Sequence, residues 1–593
     1  MRSGRPLRSR PPTATPYHAL SMSAGVLLPG NGTGVFRRGV NFRLRVLLVL
    51  CVAIVACVLL ANVLFIRRER SGITGSLLSK SESDTQMEGA SYIEREEAML
   101  ERIRHGGRRG HPAVNFPHKI VHLDLKGAPL NVAYVEEVLP LLAKLGATGL
   151  LIEYEDMFPY NGLLAEVVAG NAYSKDDIRR ILQAAKTNNL IVVPLVQTFG
   201  HLEFVLKLHE FKHLRELAHS PQALCPSHNA SVAMVHEMLR QVIELHQGYI
   251  THIHIGSDEV FVLGECDICQ ERMAELGWTK SNLFINHVTN VVQFVKKMGV
   301  QTILWDDMFR QVDEDVLRKS PLVKLVEVMV WNYAKTINLA GVLGKYVAAG
   351  FPGVWAASAF KGASGPSQQM PDFRLHLLNH YSWMQLVRQF ADKINLKGIA
   401  ITGWQRFDHF GALCELFPVG IPALALCLGY LRVGRVDDEM LSDIRAVLKC
   451  NRPLPVFEET GYSGIPLICD FPGSQVLANI YQWAELQRAK HQLTSTNQYH
   501  GWMTDMNRKY RFSAPEHVIQ GTRELPDLIS TCTRLRESFL SNLLEVSDKY
   551  TAEEWVTTFI GPLQKWLDQL QADTQQMLAK DEWPKRPLIG GAT

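Results

Sequence analysis

The stretch ITHIHIGSDEV, Ile250–Val260, is a β-branched run that ends in two adjacent acids, Asp258 and Glu259. Short apolar runs of this kind predict buried strands. Seven other runs of the same texture lie between residues 119 and 403: KIVHLDL, TGLLIEY, LIVVPLV, QTILWDD, LVEVMVW, GVWAASA and KGIAITG. Amphipathic stretches separate them, among them residues 174–189, for which Ser174 is the predicted N-cap.

The alternation of strands with helices indicates parallel pairing through helical crossovers. Eight such units match a (β/α)8 TIM barrel. An open doubly wound sheet is the alternative, but no Gly-rich phosphate-binding sequence follows the first strand. The sequence therefore predicts an α/β fold with a catalytic barrel over residues 114–435.

Beyond residue 435 the strand pattern fades and helical periodicity replaces it. The clearest helical segments are SQVLANIYQWAELQRAKHQL, LISTCTRLRESFLSNLLEVSDKY and EEWVTTFIGPLQKWLDQLQADTQQML. We interpret residues 436–593 as a helical C-terminal domain packed on the barrel, without a catalytic cluster of its own.

The first 45 residues differ in composition from the rest of the chain. They hold eight Arg and no Asp or Glu, and they are rich in Pro, Gly and Ser, which is typical of a disordered basic tail. The net charge of +3 therefore leaves −5 for the remaining residues. A mildly acidic folded part argues against a nucleic-acid-binding surface.

Residues 46–66 form an uncharged apolar run of 21 residues, which predicts a single transmembrane helix. A cleaved signal peptide is the alternative, but its apolar region is usually shorter and nearer the start. The Arg-rich tail favours a cytosolic N-terminus, with the catalytic part in a lumen or outside the cell. A glycosylation sequon at Asn229 suits that orientation.

Residues 67–113 are predicted to be a stalk with one charged helix, YIEREEAMLERIRH.

The ten cysteines are scattered and do not indicate a disulfide framework. Cys266 and Cys269 form a CxxC pair, but structural zinc needs four ligands and the chain has no second pair of this kind. We interpret the two cysteines as the start of a helix, with a local disulfide as the alternative. His252 and His254 form an HxH, which alone is weak evidence for a metal, so neither a metal nor a cofactor is predicted.

In a (β/α)8 barrel, catalytic groups lie at the carboxyl ends of the strands. Polar residues that follow the predicted strands are Asp124, Lys126, Glu153, Glu155, Asp156, Gln197, His201, Asp258, Glu259, Asp306, Asp307, Tyr333, Lys361 and Arg406. Four of the eleven tryptophans also fall at predicted strand ends: Trp305, Trp331, Trp355 and Trp404. Flat apolar walls with acids among them suit a sugar ring, whereas a phosphate site needs basic residues and free backbone N–H groups.

The adjacent acids constrain the chemistry further. Glycoside hydrolysis commonly uses two carboxylates on opposite sides of the bond, a geometry that sequence neighbours fit poorly. Neighbours fit a scheme in which a 2-acetamido group of the substrate is the nucleophile. One acid then protonates the leaving oxygen, while the other stays ionised beside the acetamido nitrogen. The pair therefore points to 2-acetamido sugars.

HIGSDEV resembles the His-Ile-Gly-Gly-Asp-Glu signature of the family 20 glycoside hydrolases, the β-N-acetylhexosaminidases. Longer motifs occur in order and carry the same resemblance: HLDLKGAP, GLLIEYEDMFPY, PLVQTFGHLEFVLK, WAASAFKGASGPS and GWQRFDH. The resemblance covers about residues 118–435. It implies a barrel that removes terminal β-linked GlcNAc or GalNAc from a carbohydrate, with retention of configuration.

The resemblance also implies roles for individual residues. Glu259 matches the general acid and base, Asp258 matches the residue that orients the acetamido group, and His201 matches a histidine near the active site. The residues matched to the acetamido pocket are Trp305, Trp331, Trp404 and Tyr333, the last as a hydrogen-bond donor to the acetamido carbonyl.

Three residues after the strands are assigned to substrate binding with less direct support from the family pattern. Most family members carry an Arg after the first strand to grip the sugar hydroxyls, and here Lys126 stands nearest to that place, with Asp124 beside it. Asp306 is expected to bind substrate or to support residues that do.

Two questions stay open at the level of sequence. Glu153, Glu155 and Asp156 are expected either to brace Lys126 and Arg406 as an ion network or to contact the sugar. The alternative function is a membrane-anchored carbohydrate-binding protein on an inactive hydrolase barrel. That alternative requires loss of the acid pair or a filled pocket, and neither is visible in the sequence.

Overall fold

A computed structural model describes residues 92–105, 114–457 and 466–588. The predicted basic tail, the predicted transmembrane helix over residues 46–66 and most of the predicted stalk lie outside these ranges. No helix within them combines the length and apolarity that a membrane crossing requires.

Eight parallel strands close into a barrel in the order β1-β10-β9-β8-β7-β6-β3-β2. The barrel strands are β1 (His118–Asp124), β2 (Gly149–Glu153), β3 (Ile191–Leu195), β6 (His252–His254), β7 (Gln301–Trp305), β8 (Val326–Trp331), β9 (Val354–Lys361) and β10 (Leu396–Gly403). A hairpin of β4 (Arg215–Leu217) and β5 (Ser220–Leu224) lies between β3 and β6 in the chain. The pairing of β1 with β10 excludes an open sheet, and the predicted (β/α)8 barrel is confirmed.

Alternate strand residues point into the barrel and form a small apolar core of their own. Its members are Ile120, Leu151, Val193, Leu195, Ile303, Trp305, Met329, Trp355, Ala357 and Ala400. This core fills the barrel interior, so the polar residues beyond the strand ends rest on an apolar floor.

Helices surround the barrel and bury one face each against it. They are α1 (Tyr92–His105), α2 (Val132–Leu145), α3 (Lys175–Thr187), α4 (Glu203–Leu206), α5 (Asn229–Leu245), α6 (Asp267–Leu276), α7 (Lys280–Lys297), α8 (Asp307–Arg310), α9 (Glu314–Lys319), α10 (Ala340–Ala349), α11 (Phe373–Gln389) and α12 (Phe417–Val433). Ser174 caps α3 in a reciprocal capping box with Asp177, as predicted. The CxxC pair begins α6 as predicted, and both of its cysteines are free thiols rather than a local disulfide.

The chain beyond the barrel is helical, as its periodicity predicts. Its helices are α13 (Asp438–Leu448), α14 (Ser474–Thr494), α15 (Asn497–Trp502), α16 (Asp505–Tyr510), α17 (Pro515–Gly521), α18 (Leu525–Val546), α19 (Lys549–Trp555) and α20 (Gly561–Leu578), with a π-helical turn at Val556–Ile560. The end of α18 meets the barrel directly, because Asn131 N donates to Val546 O at 2.8 Å. The predicted boundary at residue 435 stays a prediction. A disulfide that the sequence did not predict joins Cys450 to Cys469.

The charged helix predicted within the stalk is present with the predicted bounds, but it packs on the folded unit. Leu100 and Ile103 of α1 are buried, and Ile103 O accepts a hydrogen bond from Val436 N at 3.0 Å. Glu96 pairs with Lys335 at 2.8 Å. Residues 92–105 therefore belong to the folded unit and not to a stalk, since their apolar stripe is covered by it.

Candidate active site

A cavity of about 210 Å³ opens at the carboxyl end of the barrel. It is lined by Lys126, Gln197, His201, Asp258, Glu259, Trp305, Trp331, Tyr333, Gly362, Ala363, Trp404, Arg406 and Phe407. Pockets for drug-sized ligands typically measure roughly 300–1,000 Å³, so this cavity suits a single sugar ring. Eight of the ten predicted site residues lie on its wall.

The backbone after β6 explains how two adjacent acids reach one cavity. Side chains of successive strand residues point to opposite faces, but β6 ends at His254 and the chain then leaves the strand conformation. Gly256, Ser257 and Glu259 all have left-handed backbone, with φ of 61°, 68° and 44°. At Gly256 a Cβ atom would lie 1.9 Å from Gln197 Oε1, so only glycine fits there.

The peptide groups of Glu259 are held from two sides. Its N–H donates to Asp307 Oδ2 at 2.8 Å, and its carbonyl accepts from Gln222 Nε2 at 2.7 Å. A left-handed non-glycine residue costs about 1–3 kcal/mol and persists only where its surroundings enforce it. These two hydrogen bonds enforce the conformation that directs the Glu259 side chain toward the cavity.

His201 contacts both acids. Its Nε2 lies 3.2 Å from Glu259 Oε2 and 3.7 Å from Asp258 Oδ2. Burial alone would lower the pKa of His201, but Asp258 and the hydrogen bond to Glu259 outweigh it and raise the pKa to about 10. The imidazole is therefore cationic at neutral pH and holds the two carboxylates together.

The two acids have different environments. The Asp258 side chain is 10% exposed, whereas that of Glu259 is 38% exposed. Burial, with help from Asp307 and Glu153, raises the pKa of Asp258 to about 7 against the opposing effect of His201. Asp258 Oδ1 is buried and has no hydrogen-bond partner among the described residues, so it is an acceptor that a ligand can use.

Four aromatic side chains form the apolar wall of the cavity. The rings of Trp331 and Tyr333 stack with centroids 5.4 Å apart, and those of Trp305 and Trp404 lie 6.0 Å apart. Trp331 Nε1 donates to Asp307 Oδ1 at 3.0 Å, which fixes the plane of the indole. Flat faces of this kind suit the C–H side of a sugar ring.

Lys126 is a buried cation in the lining of the cavity. Its Nζ lies 3.1 Å from Asp124 Oδ2, 3.3 Å from Glu153 Oε1 and 3.9 Å from Glu155 Oε1, and 4.7 Å from the centre of the Trp404 ring. Burial alone would lower the pKa of Lys126, but the three carboxylates outweigh it and raise the pKa above its usual range. Lys126 therefore stays charged, which supports the ion-network interpretation of Glu153 and Glu155.

Arg406 lines the cavity, but four of its five N–H groups donate to acceptors within the protein. Its Nε donates to Lys126 O at 2.8 Å, its Nη1 to Gly411 O at 2.8 Å, and its Nη2 to Glu554 Oε2 at 2.6 Å. Its carboxylate partner is therefore Glu554 of α19, and not the acids after β2 that the sequence suggested. A residue outside the barrel thus braces the cavity wall.

Asp306 and Asp124 do not line the cavity, and for Asp306 the sequence had left a supporting role open. Asp306 is fully buried, forms a bidentate ion pair with Arg310 and accepts from Tyr346 Oη at 2.9 Å. Asp124 holds Lys126 and accepts from Gln405 N at 2.7 Å. Both carboxylates position residues of the site instead of facing a sugar.

Trp355 lies at the other end of the barrel from the cavity. It is the second residue of β9, its ring stacks on His118 at the start of β1, and its Nε1 donates to Glu327 at 2.7 Å. Asp156 pairs with Lys207 at 3.6 Å and with His409 at 3.5 Å, outside the cavity lining. These two residues have structural contacts and no contact with the site.

Several residues of the site were missed by sequence reasoning. Gln197 follows a predicted strand, but the sequence assigns it no role. Gly362, Ala363 and Phe407 follow β9 and β10, and their position after a strand was the available signal. Glu554 had no signal in the sequence.

Comparisons with known proteins agree with this geometry. A family profile described as "Glycosyl hydrolase family 20, catalytic domain" matches residues 121–361. Hexosaminidase D of Homo sapiens is 39% identical over 485 residues, which are 80% of this chain and 97% of that protein. Hexosaminidase D of Bos taurus is 47% identical over 322 residues, 53% of this chain and 92% of that protein.

Among solved structures, the chitobiase of Flavobacterium johnsoniae aligns with a TM-score of 0.44 at 15% identity, covering 78% of this chain and 72% of that one. The longer motifs of the sequence also resemble those of hexosaminidase D. The curated relatives confirm that likeness.

Proposed function

The chain belongs to glycosyl hydrolase family 20 and is a β-N-acetylhexosaminidase, and we propose that it removes terminal β-linked GalNAc or GlcNAc by a retaining, substrate-assisted mechanism. The observation that carries the mechanism is the unpartnered, buried Oδ1 of Asp258, beside Glu259 in a cavity that suits one ring. A buried acceptor without a partner costs free energy unless a ligand donor satisfies it. The N–H of a 2-acetamido group is such a donor.

In the first step, the acetamido carbonyl oxygen forms a bond to C1 as the C1–O bond to the leaving group breaks. Glu259 gives its proton to the leaving oxygen. Asp258 accepts the acetamido N–H and stabilises the positive charge that develops on the group. Water then attacks C1 and gives a proton to Glu259 as the bond between C1 and the acetamido oxygen breaks, so two displacements at C1 return the original configuration.

The electrostatics of the site support these two roles. The step needs an ionised Asp258 and a protonated Glu259 at the same moment. The cationic His201 lies near both carboxylates and favours the ionised form of Asp258. Glu259 is the more exposed of the two, which suits exchange of its proton with the leaving group and with water.

Lys126 supports activity on both sugars. Its ammonium is a point charge without the rigid bidentate geometry of a guanidinium, so it discriminates weakly between the two orientations of a sugar hydroxyl. Arg406 does not supply that geometry, because four of its five N–H groups donate to Lys126 O, Gly411 O and Glu554, which leaves no free pair of donors. We therefore expect the same enzyme to cleave β-GalNAc and β-GlcNAc.

The direct test is hydrolysis of the nitrophenyl β-glycosides of GalNAc and GlcNAc by the full chain. Wild type should cleave both, and Glu259→Gln should lose roughly a hundred- to ten-thousand-fold in kcat/KM. Glu271→Gln, which removes an exposed carboxylate from α6, is the matched control and should retain wild-type activity. No hydrolysis of either sugar by folded wild type would contradict the proposal.

The mechanism has its own test. A nitrophenyl β-glucoside, which has a hydroxyl in place of the acetamido group, should be a very poor substrate. Proton NMR of the first product formed should show the β anomer. Efficient cleavage of the glucoside, or an α product, excludes substrate assistance. A carbohydrate-binding protein on an inactive barrel would bind these sugars without cleaving them.

We also propose that residues 46–66 anchor the enzyme in a membrane with the N-terminus cytosolic and the catalytic part in a lumen or outside the cell. The apolar run and the basic tail support this orientation. The exposed position of Asn229 suits its glycosylation in a lumen, and the Cys450–Cys469 disulfide suits an oxidising compartment. Glycosidase digestion of the cell-made protein should shift wild type but not Asn229→Gln. If protease added to sealed microsomes degraded the catalytic part, that part would face the cytosol, which is the opposite orientation.

A further inference from the structure

Four potential metal ligands meet outside the sugar cavity, at Glu216, Cys225, Cys266 and Cys269. They come from three separate parts of the chain. Glu216 lies in β4, Cys225 directly follows β5, and the two cysteines of the CxxC pair begin α6. The CxxC pair alone supplies two of the four ligands that structural zinc requires, and the fold adds the other two.

Four of the six distances between the ligand atoms are close to the edges of a metal tetrahedron, and all of these atoms lie within 4.8 Å of one another. Cys225 Sγ lies 3.3 Å from Cys266 Sγ and 3.6 Å from Cys269 Sγ, and Glu216 Oε2 lies 3.3 Å from each sulfur of the CxxC pair. Donors at about 2.0–2.3 Å from a tetrahedral zinc ion are about 3.3–3.8 Å apart. A disulfide would require sulfur atoms at about 2.05 Å.

The Glu216 carboxylate is oriented toward the sulfur atoms. Its Oε1 accepts backbone N–H bonds from Glu265 at 2.6 Å and Cys266 at 3.1 Å, which leaves Oε2 facing the thiols. Glu216 is 2% exposed, and within the described ranges no Lys or Arg forms an ion pair with it. A buried carboxylate among thiols needs a cation to offset the cost of burial.

Residues around the cluster make contacts with the ligands of the kind that surround a metal site. Ser227 Oγ lies 3.1 Å from Cys269 Sγ, within reach of a hydrogen bond to a bound sulfur. Cys225 and Cys269 are buried, so the cluster is closed to solvent on most sides. A closed set of four ligands is typical of a structural ion, whereas a catalytic ion keeps one position open.

We propose that Glu216, Cys225, Cys266 and Cys269 bind one structural Zn²⁺ ion. Three thiolates and one carboxylate in a tetrahedral arrangement suit zinc, and a full set of four protein ligands suits a structural role. Binding releases the three thiol protons to solvent. The bound cluster then carries a net charge of about −2, the same as a four-cysteine zinc site.

The position of the ion gives it an effect on catalysis. It joins the β4–β5 hairpin to the start of α6, and the loop between Glu259 and Cys266 is short. Gln222 of the same hairpin donates to Glu259 O, and Gln222 O accepts from Leu202 N at 3.1 Å. The ion therefore stabilises the backbone that positions the general acid, while it lies outside the sugar cavity.

The test is the zinc content of the full chain, purified after expression with zinc in the medium and measured by plasma mass spectrometry. Wild type should hold about one zinc ion per chain. Cys225→Ser and Glu216→Gln should lose most of it. Cys532→Ser, which changes a buried cysteine of α18 far from the cluster in sequence, is the matched control and should keep it.

If the ligand variants do not fold, measurements on the wild-type protein alone test whether the cluster binds zinc. X-ray absorption at the zinc edge should show three sulfur neighbours and one oxygen neighbour. The three thiols should resist alkylation until a chelator is added. A zinc-free folded protein, a disulfide between Cys225 and either CxxC cysteine, or rapid alkylation of all three thiols without chelator overturns the proposal. Zinc content is measured independently of hydrolysis, so a failure here is distinct from a failure of the proposed activity.

Discussion

Asp258 and Glu259 both reach the sugar cavity because individual residues after β6 do not keep the extended conformation of a strand. In an extended strand Asp258 and Glu259 would point to opposite faces. Left-handed backbone at Gly256, Ser257 and Glu259 turns both toward the cavity. The conformation is held by hydrogen bonds to Asp307 and Gln222, so the strain is balanced by contacts from neighbouring elements.

The raised pKa of Asp258 predicts the acid side of the pH profile. Burial raises this pKa to about 7 in the free enzyme, and the proposed mechanism needs the ionised form. Protonation below that pH removes the acceptor for the acetamido N–H, so kcat/KM should fall about tenfold for each pH unit below about 7. The profile of kcat/KM against pH measures this directly.

Asp258→Asn is the control for that assignment. Its residual hydrolysis should be low and should lack the limb near neutral pH, since the titrating carboxyl is gone. A wild-type kcat/KM that stays constant well below neutral pH would contradict the role given to Asp258.

At the scale of elements, the site depends on contacts between neighbouring strand ends. Asp307 is the first residue of α8, after β7. One of its oxygens accepts from Glu259 N after β6, and the other accepts from the Trp331 indole at the end of β8. The single Asp307 carboxylate thus fixes Glu259, the proposed general acid, and one wall of the cavity relative to each other.

Asp307→Asn should therefore lower kcat/KM without abolishing folding. The amide keeps one acceptor and turns the other into a donor, which faces an N–H and loses a hydrogen bond of about 1–3 kcal/mol. We expect a loss of roughly ten- to a hundred-fold in kcat/KM. Asp315→Asn, an exposed carboxylate on α9, is the control. Wild-type kinetics in Asp307→Asn would show that the bridge does not position the acid.

At the scale of the whole molecule, the helices beyond the barrel contribute to the cavity wall. Glu554 of α19 forms a bidentate ion pair with Arg406, and Arg406 Nε donates to Lys126 O. The same region meets the barrel where α18 ends, at Asn131 and Val546. The α1 helix likewise packs on the folded unit through Leu100 and Ile103.

Glu554→Ala should make that part of the cavity wall less rigid, although residue 554 lies outside the barrel. Arg406 loses its carboxylate partner, so we expect KM to rise several-fold and the free energy of unfolding to fall by about 1 kcal/mol, since the pair is partly exposed. Glu553→Ala on the same helix is the control, because its side chain is exposed and outside the pair. Equal kinetics for the two variants would show that the C-terminal helices do not support the site.

The sequence by itself determined the barrel and the location of the site, and it predicts the chemistry of the acid pair. Strand and helix periodicities are local properties, so eight apolar runs separated by amphipathic stretches were sufficient to predict eight parallel strands. The fold class places catalytic groups at the carboxyl ends of such strands. That Asp258 and Glu259 are adjacent is read directly from the sequence. The helix bounds of α1 and the N-cap at Ser174 were also predictable, because both depend on neighbours in sequence.

Only the tertiary structure decided which residues face the cavity and which lie behind it. Side chains alternate along a strand, so the difference between Asp306 and Asp307 depends on where β7 ends. Trp355 lies at the far end of the barrel because β9 begins just before it. The Glu554–Arg406 pair and the four-residue cysteine cluster join segments far apart in the chain, and such contacts leave no local pattern in a sequence because they form only when the elements pack.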